Sequence, residues 1–295
     1  MYKIAILGTE NSHADAFANI IYKGHRNLGN VPYSDFEIVG ICGDDAEKNK
    51  KMQETFGIAE ISDNPEAWVG KVDGIMVTAR HGGKHLKYAK KYIENGTPAF
   101  IDKPITISEN EALELARLAK SKNVPLCGGS TLGVADDVVY MRDLFNDSER
   151  CKKVYGGAVS APINMKNEWG DFFFYSQHLV QIMTGIFGSG IESVIARGRE
   201  DSATFIARYK DFDVSGHYGS HAYSATIYEQ SKVFHKEIDI FADRYLREFE
   251  RFEHMLRTGR MLEDYDEFIK PVFILNAIYE SLKTGAEVSV RKFEI

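Results

Sequence analysis

The stretch DGIMVTARHGGKHLKYAKKYIENGTPAFID, residues 73–102, decides the predicted fold of this chain. Its first part, GIMVTA (74–79), is an apolar run with the length of a buried strand. An amphipathic segment follows, KHLKYAKKYIENG (84–96), whose closing Asn-Gly is a typical helix end. A second apolar run, PAFID (98–102), completes a strand–helix–strand unit. Such a unit predicts two parallel strands joined by a helix that covers one face of the sheet.

The same alternation continues on both sides of this unit. Further strands are predicted at 2–8, 36–42 and 124–130, and further helices at 12–24, 45–57 and 112–123. Ser12 is expected to cap the first of these helices and Gly57 to end the second. Ser108 and Glu111 are spaced as a capping box before the third. We therefore predict an α/β protein whose residues 1–125 form a Rossmann-like domain with a parallel sheet.

The pattern changes in the second half of the chain. Four strand-like runs follow one another without helices between them, at 192–198, 203–209, 214–220 and 223–230. Such a run predicts a mainly antiparallel, open sheet. Strong helices are expected at 243–260 and 265–285, and Pro271 lies either in the first turn of the second or at a kink. Residues 126–295 are thus predicted as an α+β domain, with a C-terminal helix that packs back on the first domain.

Composition narrows the classes of function. The formal net charge is −7, which argues against a nucleic-acid or anionic-membrane partner. No apolar stretch has the ~20 residues of a membrane span, and the first residues run directly into a strand, so neither a span nor a signal peptide is predicted. The three cysteines match no metal motif and are typical of a cytoplasmic protein. Histidines 81, 85, 217 and 221 lack carboxylates at ligand spacing, so no metal site is predicted.

The first strand ends in a turn that resembles a dinucleotide fingerprint only in part. In ILGTENSHADAF (6–17) the first glycine, Gly8, is present, whereas Glu10 and His13 occupy the other two glycine positions. The N–H groups at the helix start, together with the polar side chains there, still suit a phosphate. The candidate cofactor contacts of this turn are Gly8, Thr9, Glu10, Asn11, Ser12 and His13. Binding remains possible if Glu10 points outward; the alternative is a loop that only caps the helix.

Carboxylates follow the second strand in the sequence CGDD. Asp44 can bond the ribose hydroxyls of NAD, which favours NAD over NADP. An Asp that only caps the next helix is an equally good interpretation. Arg80, after the third strand, is able to reach a phosphate, so NADP stays open.

Two further positions suit proton transfer. Lys103 follows a buried strand at the edge where ligands of parallel sheets bind, and a desolvated lysine exchanges protons near neutral pH. Tyr175, His178 and Gln181 lie along one face of an otherwise apolar helix, which predicts a polar ligand, with Tyr175 and Gln181 as substrate contacts. The alternatives are a surface lysine and a histidine of the core.

Four segments together resemble the glucose–fructose oxidoreductase / inositol dehydrogenase / MocA (Gfo/Idh/MocA) family. They are IDKPIT (101–106), the longer stretch 72–104, the Y-x-x-H segment within 175–194 and the C-terminal stretch 257–288. The resemblance covers nearly the whole chain. It implies a two-domain oxidoreductase that uses NAD or NADP on a sugar, a polyol or a related small molecule.

The resemblance also implies roles for particular residues. Lys103 and His178 correspond to the catalytic lysine and histidine, and Thr78, Ala79, Arg80, His85, Asp102 and Lys103 to residues around the cofactor. The chain departs from the pattern in its missing glycines, in Arg80 where the family has Pro, and in Phe174 where it often has an acid. It is therefore expected to be an atypical member.

Three hypotheses follow. The first is a cytoplasmic NAD(P)-dependent dehydrogenase that forms a homodimer or homotetramer through its C-terminal sheet. The second is a non-catalytic nucleotide- or ligand-binding regulatory protein that kept the fold. The third is an NAD-assisted lyase or glycosidase, which releases no NADH.

Overall fold

The first half of the chain folds around a parallel sheet. The computed structural model describes residues 1–241 and 243–295. The strands of this sheet are β1 (Tyr2–Leu7), β2 (Phe36–Cys42), β3 (Glu60–Ile61), β4 (Gly74–Val77), β5 (Ala99–Asp102) and β6 (Leu126–Gly129). All neighbours pair parallel in the order β3-β2-β1-β4-β5-β6, the arrangement of a Rossmann sheet. The predicted α/β class with a parallel, Rossmann-like sheet is confirmed, and within this sheet only the two-residue edge strand β3 had no sequence signal.

Helices connect these strands and cover the sheet. They are α1 (Ser12–Lys23), α2 (Ala46–Phe56), α3 (His85–Glu94) and α4 (Glu109–Lys122). Gly57 ends α2 in the left-handed conformation, as predicted. The prediction for α1 was wrong by one residue, because the Asn11 side chain, not that of Ser12, accepts the cap bond from the His13 N–H. Ser108 stands at the N-cap of α4 but its side chain makes no cap bond, so the capping box does not form.

The second half forms an open, seven-stranded sheet with helices on its inner face. Its elements are α5 (Asp136–Asn146), β7 (Val154–Ala161), α6 (Phe172–Phe187), β8 (Ser193–Gly198), β9 (Ala203–Arg208), β10 (Asp213–Tyr218), β11 (Ser224–Glu229), β12 (Val233–Glu237), α7 (Arg244–Thr258), α8 (Tyr265–Thr284) and β13 (Val288–Ser289). The order is β12-β11-β7-β10-β9-β8-β13. Every pair is antiparallel except β7 with β10, so the predicted α+β class is confirmed.

The two C-terminal helices pack against the first half of the chain. Phe249 and Phe252 of α7 are fully buried in the core between α1 and the parallel sheet. Phe273 of α8 belongs to the core around α3 and α4, whereas Ile278 belongs to that of the second sheet. Pro271 lies inside α8 beyond its first turn. No helix in the described ranges is both long and apolar enough to cross a membrane.

Candidate active site

The site is built where the strand order reverses, between β1 and β4. Gly8, just after β1, has φ +101°, and a Cβ there would lie 2.1 Å from the Ala79 backbone nitrogen. Thr78 Oγ1 donates to the Gly8 carbonyl at 3.0 Å. The backbone after β1 and the backbone after β4 therefore pass so close together that position 8 has no room for a side chain. The crevice opens directly beside this close approach.

Asp102 links the start of α1 to the end of β5. Its Oδ2 accepts from Asn11 Nδ2 at 3.1 Å and lies 2.8 Å from His13 Nδ1. Its Oδ1 accepts from the Lys103 N–H at 2.7 Å. The Asp102 side chain is fully buried, so it contacts protein groups only and holds the two chain segments in place.

Glu10 does not point outward, so the orientation for which the sequence left binding open is not the one found. Its Oε1 accepts from the Arg80 N–H at 3.3 Å, across the crevice. Its Oε2 is buried and has no hydrogen-bond partner. An unpartnered carboxylate oxygen is costly, because it has lost water without gaining a donor. The turn therefore presents an acceptor to the crevice in place of a glycine.

The two aspartates after β2 differ in their contacts, and only one of them caps a helix. Asp45 Oδ1 accepts from the Lys48 N–H at 3.0 Å and caps α2. Asp44 is exposed and forms an ion pair with Lys84. Asp44 is thus the carboxylate that remains accessible at the rim of the crevice.

Lys103 is buried without a carboxylate in ion-pair contact. Only 3% of its surface is exposed, and its ammonium lies 4.3 Å from the centre of the Phe174 ring and 5.7 Å from that of Tyr175. Burial lowers the pKa of Lys103, and the positive charge of Arg80 lowers it further against the opposing effect of Asp102. Phe174 therefore provides an aromatic face where the family resemblance led us to expect an acid.

His178 reaches the same space from α6. Its Nδ1 lies 2.6 Å from Ser130 Oγ, at the end of β6. Burial lowers its pKa well below the ordinary value of a histidine, helped by the positive charges of Lys103 and other nearby cations. The ring is therefore neutral at pH 7. When Nδ1–H donates to Ser130, Nε2 carries the lone pair; the other tautomer makes Nε2 a donor.

These groups border a cavity of about 510 Å³ between the two halves of the chain. The residues predicted as site residues that line it are Asn11, Ser12, His13, Arg80, Lys103, Tyr175 and His178. Further lining residues are Thr131, Leu132, Asn164, Trp169, Phe174, Tyr223, Ile240, Arg244 and Tyr245. The cavity thus joins the carboxyl edge of the parallel sheet to α6 and to the start of α7.

Some predicted site residues lie behind this surface. Thr9, Thr78, Ala79 and Asp102 are fully buried. His85 is fully buried as well, with Nε2 at 2.8 Å from the Ala79 carbonyl and Nδ1 at 3.2 Å from that of Ile105. Its ring therefore joins the loops after β4 and β5.

Gln181 points away from the cavity that His178 lines. Its side-chain oxygen accepts from the Ser130 N–H and, at 2.7 Å, from Gln177 Nε2. Gln181 thus bonds the backbone of Ser130, the residue whose hydroxyl contacts His178.

Sequence reasoning missed the contribution of Ser130 and of α7. Ser130 stands at a strand end, where the rule that placed Lys103 also applies. Arg244 and Tyr245 had no such signal, because only the packing of α7 brings them to the cavity. Within 1–241 and 243–295, no cluster of three or more His, Cys, Asp or Glu side chains is suited to hold a metal ion.

The start of α1 and the rim of the crevice fit a dinucleotide. Gly8 leaves room beside Ala79, the start of α1 lines the cavity, and the exposed Asp44, paired with Lys84, stands where a ribose would bind; the carboxylate of Glu10 is the departure from the usual glycine pattern. The buried Oε2 of Glu10, which lacks a donor, suits a hydroxyl group such as those of the riboses.

Comparisons with known proteins identify the family of the first half of the chain and the fold of the whole. Residues 2–129 match the model of the Gfo/Idh/MocA family, described as an oxidoreductase family with an NAD-binding Rossmann fold. No curated protein matches the chain.

Solved structures similar to this chain along nearly its whole length include the following three. GenD2 from gentamicin A biosynthesis, in complex with NAD, has a TM-score of 0.85 at 15% identity, over 99% of this chain and 97% of that one. Scyllo-inositol dehydrogenase from Lactobacillus casei, with bound NAD(H) and scyllo-inositol, has a TM-score of 0.83 at 13% identity, over 98% of this chain and 99% of that one. Myo-inositol 2-dehydrogenase from Lactobacillus plantarum has a TM-score of 0.82 at 14% identity, again over 98% of this chain and 99% of that one. Residues 2–129 thus match the NAD-binding Rossmann domain of the Gfo/Idh/MocA oxidoreductases, as the sequence motifs predicted, and the fold is shared along the whole length of the chain.

Proposed function

We propose that this protein is an NAD-dependent dehydrogenase acting on a hydroxyl-bearing carbon of a sugar, a polyol or a related small molecule. The observation that carries the proposal is the convergence of Lys103 and His178, from different halves of the chain, on one cavity at the carboxyl edge of the parallel sheet. When bound, NAD supplies the nicotinamide ring that accepts the hydride with its electron pair. The chain itself has to bind the cofactor and the substrate and to take the hydroxyl proton.

Lys103 is our first candidate for the proton acceptor. Burial lowers its pKa, which favours the neutral amine, whose lone pair can take the proton. His178, held at Nδ1 by Ser130, offers Nε2 as a second acceptor or as a donor to the substrate oxygen. Tyr175 lies beside both groups and is our candidate for orienting the substrate.

The cofactor is assigned to the crevice between β1 and β4. The start of α1, with Asn11, Ser12 and His13, is the candidate phosphate site, and Asp44 the candidate ribose contact. Arg80 is placed to reach a phosphate from the opposite loop. His85 and Asp102 hold the loops of this crevice from below.

The test is a titration of the full chain with NADH, followed by nicotinamide fluorescence, and then turnover assays with sugars and polyols. Lys103→Ala should lower kcat by about 100-fold or more while NADH binding stays largely unchanged. The matched control is Lys90→Ala, since Lys90 is exposed and pairs only with Glu114. If Lys103→Ala abolishes NADH binding, Lys103 is a cofactor anchor instead.

A second candidate function is a non-catalytic ligand-binding protein. Two observations favour it: Glu10 occupies a fingerprint glycine position, and Phe174 stands where an acid is expected. This candidate predicts ligand binding without turnover, and the failure of millimolar NADH to bind would refute the dehydrogenase.

Assembly and location are also proposed. The outer face of the second sheet exposes Ile206 and Tyr228, 41% and 42% of whose surfaces are accessible, and we assign a homodimer or homotetramer contact to it. Cys42, Cys127 and Cys151 are buried and unpaired, which supports a reducing, cytoplasmic location.

A further inference from the structure

The cavity has positively charged walls. Arg80, Lys103 and Arg244 all line it, and no Asp or Glu does. In the part of the chain that the structure describes, no ion pair joins any of the three to a carboxylate. Two arginines that are always charged, beside a lysine that is charged only when protonated, create a field that attracts anions into one recessed space.

Aromatic rings support these cations without neutralising them. The Arg80 guanidinium lies 4.5 Å from the centre of the Trp169 ring, and the Lys103 ammonium 4.3 Å from that of Phe174. The Arg244 guanidinium lies 4.8 Å from the Tyr245 ring. A ring face stabilises a cation through its quadrupole but leaves the net charge in place. The full positive charge of the two arginines therefore remains available to a ligand.

The three cations stand at different places in the site. Arg80 follows β4 and lies beside Glu10 in the cofactor crevice, so a phosphate of the cofactor can account for its charge. Lys103 lies at the place assigned to the reacting hydroxyl. Arg244 begins α7 and is close enough to His178 for its charge to help lower the pKa of that ring, so it borders the place assigned to the substrate, while the next residue, Tyr245, packs on His13.

We propose that the substrate carries an anionic group, a carboxylate or a phosphate, in addition to the hydroxyl that is oxidised, and that Arg244 binds this group. The proposal rests on the proposed dehydrogenase function and specifies its substrate class. A guanidinium matches both anions, because its N–H groups bond two oxygens in parallel. A neutral polyol leaves Arg244 without a counter-charge.

The experiment compares matched ligand pairs on the full chain. Glucose is paired with glucuronate and with glucose phosphate, and inositol with inositol monophosphate. The readouts are the shift in melting temperature with and without NADH, and kcat/KM with NAD. The anionic member of at least one pair should bind about tenfold or more tightly, the size of a charge-assisted hydrogen bond. The glucuronate and phosphate arms distinguish the two anion sources.

Two variants locate the effect. Arg244→Gln should reduce the preference for the anion about tenfold, mainly through KM, and Arg244→Lys should retain part of it. Arg247→Gln is the control, since Arg247 lies on the same helix but is exposed and pairs with Asp136 and Glu250. Equal or tighter binding of every neutral member overturns the proposal, as does an anion preference that survives in Arg244→Gln. Failure of NADH to bind removes the dehydrogenase function, whereas an anion-specific shift without NADH still supports the anion site.

Discussion

The replacement of an acid by Phe174 should control the protonation of Lys103. The variant Phe174→Asp places a carboxylate about where the ring now lies, 4.3 Å from the ammonium. At that distance and an effective dielectric constant of about 20, the attraction is about 4 kcal/mol, or about 3 pKa units. Because Phe174 is 7% exposed, desolvation of the new carboxylate offsets part of this. We expect the pKa of Lys103 to rise by about 1–2 units.

The assay is the pH dependence of Lys103 acetylation by acetic anhydride, followed by peptide mass spectrometry. Only the neutral amine reacts, so the midpoint of the profile reports the pKa of Lys103. In the natural protein the midpoint should lie below the ordinary lysine value, since burial disfavours the charged form. In Phe174→Asp it should move to higher pH, and the basic form should become scarcer at neutral pH.

Two controls separate charge from shape. Phe174→Leu removes the ring face without adding charge, so the pKa of Lys103 should fall by about half a unit, opposite in sign to the aspartate. Phe174→Asn matches the aspartate in size but not in charge, and its midpoint should stay well below that of Phe174→Asp. Equal midpoints in the Asp and Asn variants would refute electrostatic control of Lys103 from this position.

Three other predictions test the crevice and the sheet. Gly8→Ala should lower the free energy of unfolding, measured in urea, by at least about 2 kcal/mol, because the new methyl group meets the Ala79 backbone. In the control Gly57→Ala the methyl group meets nothing within 4 Å, so the loss should be only about 1 kcal/mol of backbone strain. Equal losses in the two variants would contradict the close approach at Gly8. Glu10→Gln should weaken NADH binding about tenfold in fluorescence titration by removing a charged acceptor, and tighter binding would mean that repulsion of the phosphates dominates. Tyr228→Glu places a charge on the outer face of the second sheet, so light scattering should give the molecular mass of a monomer. The control Leu262→Glu changes an exposed residue outside the sheet and should keep the mass of the natural protein. An unchanged mass in Tyr228→Glu would place the interface elsewhere.

The sequence predicted the parts of this molecule that depend on local pattern. Apolar runs and helix ends fixed the strands of both sheets, and the strand-end rule placed Lys103 at the cavity edge. The short, half-exposed strand β12 has neither an apolar run nor clear alternation of burial with polarity, and it was missed. Local pattern is therefore sufficient where an element is buried and long, and insufficient at the edges of sheets.

The contacts that set the chemistry depend on distant neighbours. Glu10 meets the backbone of Arg80 across 70 positions, and Ser130 meets His178 across 48. The amphipathic pattern of α7 predicts a helix, but it does not say which surface the helix covers, so Arg244 was not foreseen. Such pairs follow from how the two halves of the chain pack together, which no window of sequence contains.

Phe174 and the unpaired arginines of the cavity affect the same property, the charge that surrounds the substrate. An acid at position 174 would add a negative charge to the cavity wall and so disfavour an anionic substrate. With Phe174 there, Lys103 lies against a ring, as Arg80 and Arg244 do, and burial favours its neutral form. The cavity lining then has two arginines and no carboxylate, and an anionic group on the substrate supplies their counter-charge. On this argument Phe174→Asp should weaken the preference for anionic ligands as well as raise the pKa of Lys103.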